Sequence, residues 1–160
     1  MHYFFLEKDA LVLRSKAEAT KQQMLESAKD ASIQSSQSSE TWHDNFGFED
    51  AVRQQRFLSK RISEIYELQD KMRIVKPAAK TDKVEIGLEV VLEDTETHET
   101  KSVIVGSYMV LDQRFPNEIS YDAPLIKAFM GARKGATKKI EIGGQTKHYK
   151  IVEIKIPTTN

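Results

Sequence analysis

Lys76-Pro77-Ala78-Ala79-Lys80-Thr81-Asp82-Lys83-Val84-Glu85-Ile86-Gly87-Leu88-Glu89-Val90-Val91-Leu92 is the stretch in which the hydrophobic period of the chain changes. Upstream of Pro77 the apolar residues recur at helical spacing. From Val84 they recur at every second residue, through Ile86, Leu88, Val90 and Leu92, the period of a half-buried strand. Residues 77–83, with proline and mixed charge, read as a linker between two modules. Beyond them, 84–160 holds further strand candidates at Ser102–Val105, Lys138–Ile142 and Lys147–Ile156. The last two are joined through Gly143-Gly144, a hairpin signal because a two-residue turn needs positive φ. Pro124-Leu125-Ile126-Lys127-Ala128-Phe129-Met130 reads as one short helix ended by Gly131. The expectation for the second half is an antiparallel β-sheet packed on one short helix, an α+β arrangement.

Working back from the linker, one apolar stripe runs Phe48, Ala51, Gln55, Leu58, Ile62, Ile65, Gln69, Met72. Another runs Leu6, Ala10, Leu13, Ala17, Thr20, Met24, and continues weakly through Ser27 and Ala31. Steps alternating between three and four residues form a heptad seam. Neither stripe has the bulk to bury itself alone, and the segment between them is short. Residues 1–76 are therefore expected to form an antiparallel coiled-coil hairpin of two helices with its tip at about 39–47. At about 1.5 Å per residue, arms of roughly 28 to 34 residues make a rod on the order of 40 to 50 Å long. Between Ala31 and Ser39 bulky seam residues give way to serines that compete for backbone hydrogen bonds. Two outcomes stand open there, a helix frayed towards its tip and a flexible linker.

The 160 residues carry 24 basic and 24 acidic side chains, so no net field favours general binding to long nucleic acid, and a protein partner is the better expectation. Apolar residues make up 39%, enough for two small cores. There is no cysteine, which removes disulfides and thiolate metal sites and favours a reducing compartment, the cytoplasm. The apolar start Met1-His2-Tyr3-Phe4-Phe5-Leu6 runs into Glu7, Lys8 and Asp9, too short for a signal-peptide core or a membrane span. His2, His43, His98 and His148 lack metal-ligand spacing.

The run Ile119-Ser120-Tyr121-Asp122-Ala123-Pro124-Leu125-Ile126-Lys127-Ala128-Phe129-Met130-Gly131, followed by Gly135, resembles the carboxyl-terminal domain of the Gre transcript cleavage factors. Val84-Glu85-Ile86-Gly87, Val91-Leu92-Glu93-Asp94 and Ile104-Val105-Gly106 add to the likeness, as do Asn45, Phe48 and Ala51. The resemblance implies an FKBP-like second domain that docks on the rim of the secondary channel of RNA polymerase while the hairpin enters the channel. It further implies that acidic residues at the tip help hold a second Mg²⁺ in the polymerase active site, stimulating cleavage of backtracked RNA. The factor is then not itself an enzyme, and the metal is shared with the polymerase. At the other end the likeness lapses, because the family's proline-containing opening and T-x-E-G helix start are replaced by the aromatic residues from Tyr3.

The tip reads Ser39-Glu40-Thr41-Trp42-His43-Asp44-Asn45-Phe46-Gly47. Against the family pattern D-x-x-E-N, Asp44 and Asn45 match the last acid and the asparagine, and Thr41 stands where the first aspartate is expected. Glu40 is the candidate replacement, since residues four apart share a helical face about 5 to 6 Å between Cβ atoms. Asp44 is the expected metal-directed ligand, acting only jointly with the polymerase, because Mg²⁺ takes one or two protein carboxylates and keeps several waters. The structural alternative is that Asp44 or Asn45 caps the second helix and that Trp42, Phe46 and Phe48 plug the hairpin.

Arg53, Arg56 and Lys60 fall at steps of three and four on the second helix, with Arg61 adjacent, and make a basic stripe. By resemblance it would contact the 3′ segment of the nascent RNA. The alternative is a solvated face balanced by Glu49, Asp50 and Glu64. Asp122 and Pro124 lie where the family's docking residues are expected, and Asp122 is also placed to cap the short helix. A polymerase regulator that occupies the channel without promoting cleavage is the nearest competing reading. More distant ones are a prolyl isomerase or chaperone, for which Tyr108, Phe115, Tyr121 and Phe129 show no sign of convergence, and a helical adaptor. A seam already paired within the chain argues for a monomer.

Overall fold

The computed structural model describes residues 1–37 and 46–158, without the side chains of 34–37 and 46. The tip residues Glu40, Thr41, Asp44 and Asn45 lie outside the described residues. The chain divides into two units, Leu11–Met72 and a second made of Met1–Ala10 with Arg73–Asn160. The first ten residues, expected within the hairpin module 1–76, thus cluster with the sheet. The cause is a short strand β1 (Tyr3–Leu6) at the start of the chain.

In the helical unit, α1 (Glu7–Gln37) and α2 (Phe46–Lys71) bear the two seams. Leu13, Ala17, Thr20 and Ser27 are buried on α1, and Leu58 and Ile62 on α2. The flanking charged residues stay in water, so the alternation of threes and fours in the sequence is the burial pattern. The helices touch where the Ser59 hydroxyl meets the Met24 sulfur at 3.5 Å. The serine-rich end of α1 is helical through Gln37.

In the sheet unit, β1 pairs with β2 (Met72–Val75) as a two-stranded ribbon. The main sheet has the order β5-β4-β3-β7-β6, from β3 (Glu89–Asp94), β4 (Thr100–Gly106), β5 (Glu118–Ser120), β6 (Thr137–Ile142) and β7 (Gln145–Lys155). The pairs β3–β4, β3–β7 and β6–β7 are antiparallel. The expected all-antiparallel sheet is nevertheless mixed, because β5 runs parallel to β4 with Val105 opposite Ile119. The long connection from Ser107 allows that crossover, and three residues of modest apolarity gave no strand signal. At the β6–β7 turn both Gly143 and Gly144 have positive φ, 60° and 77°, as a hairpin turn matching strand twist requires.

Val84 to Leu88 alternates without being a strand. Gly87 sits at φ 93°, its N–H donating to Val105 O, and the Val84 N–H donates to Ala132 O. Val84, Leu88, Val90, Leu92, Val105 and Ile151 are fully buried and pack against the helix α3 (Pro124–Lys127) and its continuation. Leu125, Ile126 and Phe129 close that core. The expected short helix is thus one turn, extended by a turn that ends at Gly131, φ 76°.

Candidate functional site

The parallel strand β5 delivers the chain to a surface corner. Tyr121 N–H donates to Gly106 O at 3.2 Å. The Ser120 hydroxyl donates to Tyr108 O at 2.8 Å and accepts the Asp122 N–H at 3.1 Å. The side chains of Val110 and Glu118 crowd Gly106, where an added Cβ would fall 2.7 Å from Val110 Cγ2. Asp122 does not cap α3: the N-cap is Ala123, in extended conformation, with no side-chain cap bond. Pro124 occupies the first turn, which shifts the cap one residue beyond Asp122. The Asp122 carboxylate is instead bound to the Lys127 ammonium at 2.7 Å. That hydrogen bond, with the charge of Asp122, raises the Lys127 pKa. Pro124 is exposed, while Leu125 and Ile126 behind it are buried. The corner therefore offers one carboxylate and one proline ring on a rigid base.

Arg53, Arg56 and Lys60 are all exposed on α2. Arg53 approaches Asp50 only to 4.0 Å, with both side chains 79% exposed, so the pair adds little. Arg61 lines a groove with Glu26 and Asp30 of α1 and so faces acidic company. Among the described residues, no group of three or more His, Asp or Glu side chains could hold a metal ion.

The residues with the most perturbed chemistry were not foreseen. Asp9, fully buried in the first turn of α1, accepts the N–H groups of Leu111 and Asp112 at 2.7 and 2.8 Å and the Ser107 hydroxyl at 2.5 Å. Burial would raise its pKa, but these bonds and Lys8 hold it below the ordinary carboxylate value. The Lys8 ammonium donates to Asp112 O at 2.7 Å and to Glu118 Oε2 at 3.0 Å. Burial pushes Glu118 upward despite Lys8. The only sequence signal was an Asp wedged between seam positions Leu6 and Ala10, and its partners lie about a hundred residues away. The network fastens the amino terminus to the loop after β4, and its Lys8 and Glu118 line a cavity together with Pro77, Ile104 and Phe115.

The aromatic residues at the start of the chain complete the surroundings. Tyr3 stacks on Tyr108 with ring centroids 4.1 Å apart. Phe5 is buried, and Tyr108 and Tyr121 approach to 6.3 Å. Two of the four rings expected to lie apart thus meet, while Phe129 belongs to the core.

The family model "Transcription elongation factor, GreA/GreB, C-term" matches residues 79–156, from the linker through the end of β7 and including Asp122 and Pro124. The transcription elongation factor GreA of Halorhodospira halophila is 31% identical over 114 residues, covering 70% of this chain and 72% of that protein. This chain belongs to the GreA/GreB family of transcription elongation factors. GreA of Lachnoclostridium phytofermentans is 34% identical over 114 residues, covering 70% of each chain. Among solved structures, GreA factor homolog 1 of Thermus thermophilus is 23% identical, with 96% of this chain and 99% of that chain covered at a TM-score of 0.45. A GreA/GreB factor from Nitrosomonas europaea is 14% identical, covering 97% of this chain and 98% of that one at a TM-score of 0.41. No described helix is long and apolar enough to cross a membrane.

Proposed function

We propose that the chain binds RNA polymerase through the Asp122–Pro124 corner, places its helical hairpin in the secondary channel and stimulates cleavage of RNA in backtracked complexes. What carries this reading is the corner: a proline ring in the first turn of α3 and, two residues before it, a carboxylate paired with Lys127, inside the segment that the family model matches. Asp44 and Glu40 are the tip acids assigned to the reaction. Carboxylate oxygens are the donors a hard cation prefers, and a metal shared with the polymerase would neutralise charge developing on the phosphodiester. The role of this chain is to carry those carboxylates to the reacting phosphate, with Arg53, Arg56 and Lys60 facing the phosphates of the displaced RNA. The phosphodiester chemistry stays with the polymerase.

A second reading rests on one residue. Thr41 stands where the family pattern places an aspartate. With one carboxylate fewer, the same docking would yield a channel-occupying regulator that leaves the RNA intact. Incubation of a purified backtracked elongation complex with the protein and Mg²⁺ separates the two. Shortened RNA supports the first, binding without shortening supports the second, and failure to bind removes both.

A further inference from the structure

We propose that Phe4 is an aromatic anchor of the same docking surface, so that the amino-terminal strand and the Asp122–Pro124 corner together form one composite face. The inference rests on the corner being the polymerase contact. Of the residues in β1, Phe5 and Leu6 fill the interior, whereas Phe4 is 40% exposed. Its backbone is nonetheless pinned at both ends: its N–H donates to the Tyr121 hydroxyl at 3.3 Å, and its carbonyl accepts the Tyr108 N–H at 2.9 Å. Its ring lies tilted 6.1 Å from that of Tyr121, the residue immediately before Asp122. A solitary exposed phenylalanine needs no explanation. This one is bound to the segment that presents the corner's acid.

Three features make the face suited to binding. The ordering of Phe4 is already met by folding, so little freedom is lost on association. Aromatic rings held on a rigid base, ringed by polar groups, are the usual energetic centres of interfaces. The chemistry is also paired, an apolar ring beside the Asp122 carboxylate, which in the free protein is satisfied by the exposed Lys127. The complementary occupant is a polymerase segment that presents an apolar side chain next to a cation able to replace Lys127 at Asp122.

The test uses the full chain and core RNA polymerase. A photoreactive benzoylphenylalanine is placed at position 4 or at position 124, and the crosslinked polymerase peptides are mapped; affinities of Phe4→Ala, Phe4→Leu and Asp122→Ala are measured alongside. The backbone bonds of Phe4 survive substitution, and thermal melts identify any variant that fails to fold. The expected result is crosslinking from both positions to one polymerase segment and about ten-fold weaker binding for Phe4→Ala, with Phe4→Leu intermediate. Crosslinking from position 124 alone, with Phe4→Ala at wild-type affinity, overturns the inference and leaves the docking reading standing. No crosslink from either position, with Asp122→Ala at wild-type affinity, overturns both. Loss of a self-associated form in Phe4→Ala without loss of polymerase affinity assigns the ring to a second copy of this chain and also overturns it.

Discussion

Lys8 Nζ lies 2.8 Å from Glu118 Oε1 across 110 positions of sequence, and 3.2 Å from Asp9 Oδ2. One ammonium thus bridges two buried carboxylates, one on the first turn of α1 and one on β5. Removing a partner from such a set strands desolvated groups, which costs more than the pair gains by forming. Asp9→Ala leaves the Leu111 and Asp112 N–H groups and the Ser107 hydroxyl without their acceptor and removes one of the two carboxylates beside Lys8. The variant is expected to lose roughly 3 kcal/mol of unfolding free energy, read as a lower urea midpoint with little change in slope.

The two carboxylates have opposite pH signatures. Asp9 titrates below its ordinary 3.8, so the stability it supplies is present above that value and lost as pH falls through the lower folded pKa. Glu118 titrates above its ordinary 4.5. The folded protein then holds that proton more tightly than the unfolded chain, and stability falls as pH rises from 4.5 through the folded value. Glu118→Gln should remove this decline and keep the acid-side loss. Urea midpoints measured across the acidic range check it, and a variant profile that parallels wild type throughout contradicts the assignment.

Gly87 combines a left-handed backbone with a crowded face: at φ 93° an added Cβ would lie 2.6 Å from Pro77 Cβ. Neither the strain nor the clash can be relieved by a rotamer change. Gly87→Ala is expected to cost about 2 kcal/mol, seen as a lower melting temperature of the full chain.

Under the proposed docking, Asp122 is the residue at which binding and folding come apart. Its ion pair with Lys127 is solvent-facing and caps no helix, so Asp122→Ala should change stability by under about 1 kcal/mol while weakening polymerase binding about ten-fold. A melt and a binding titration on one preparation decide it. A large stability loss would show that the corner is structural.

Legibility in the sequence followed the range of the interactions. The seams could be read because Leu13, Ala17, Leu58 and Ile62 report a local period, and the β6–β7 hairpin because Gly143-Gly144 is a local turn signal. Asp122 was read as a cap on similar local grounds, but Pro124 places Ala123 there and Lys127, one turn on, takes the carboxylate. The alternation from Val84 to Leu88 reported burial correctly and strand wrongly, since Gly87 breaks the ladder geometry. What could not be read was the Lys8–Asp9–Glu118 network and the landing of Phe4 on Tyr121, because nothing near residues 4–9 encodes which loop a hundred positions later will meet them. The corner residues Asp122 and Pro124 were visible through the family resemblance. Their aromatic neighbour at the amino terminus was not.

In the proposed function, tip carboxylates of this chain promote cleavage by the polymerase. The most direct measurement is the single-turnover rate of RNA shortening in a backtracked elongation complex saturated with wild type, Asp44→Ala or Thr41→Asp protein. Shortening is expected with wild type, loss to the factor-free rate with Asp44→Ala, and a faster rate with Thr41→Asp, which supplies the carboxylate the family pattern expects. Equal rates for wild type and Asp44→Ala, with both proteins bound to the polymerase, would contradict it.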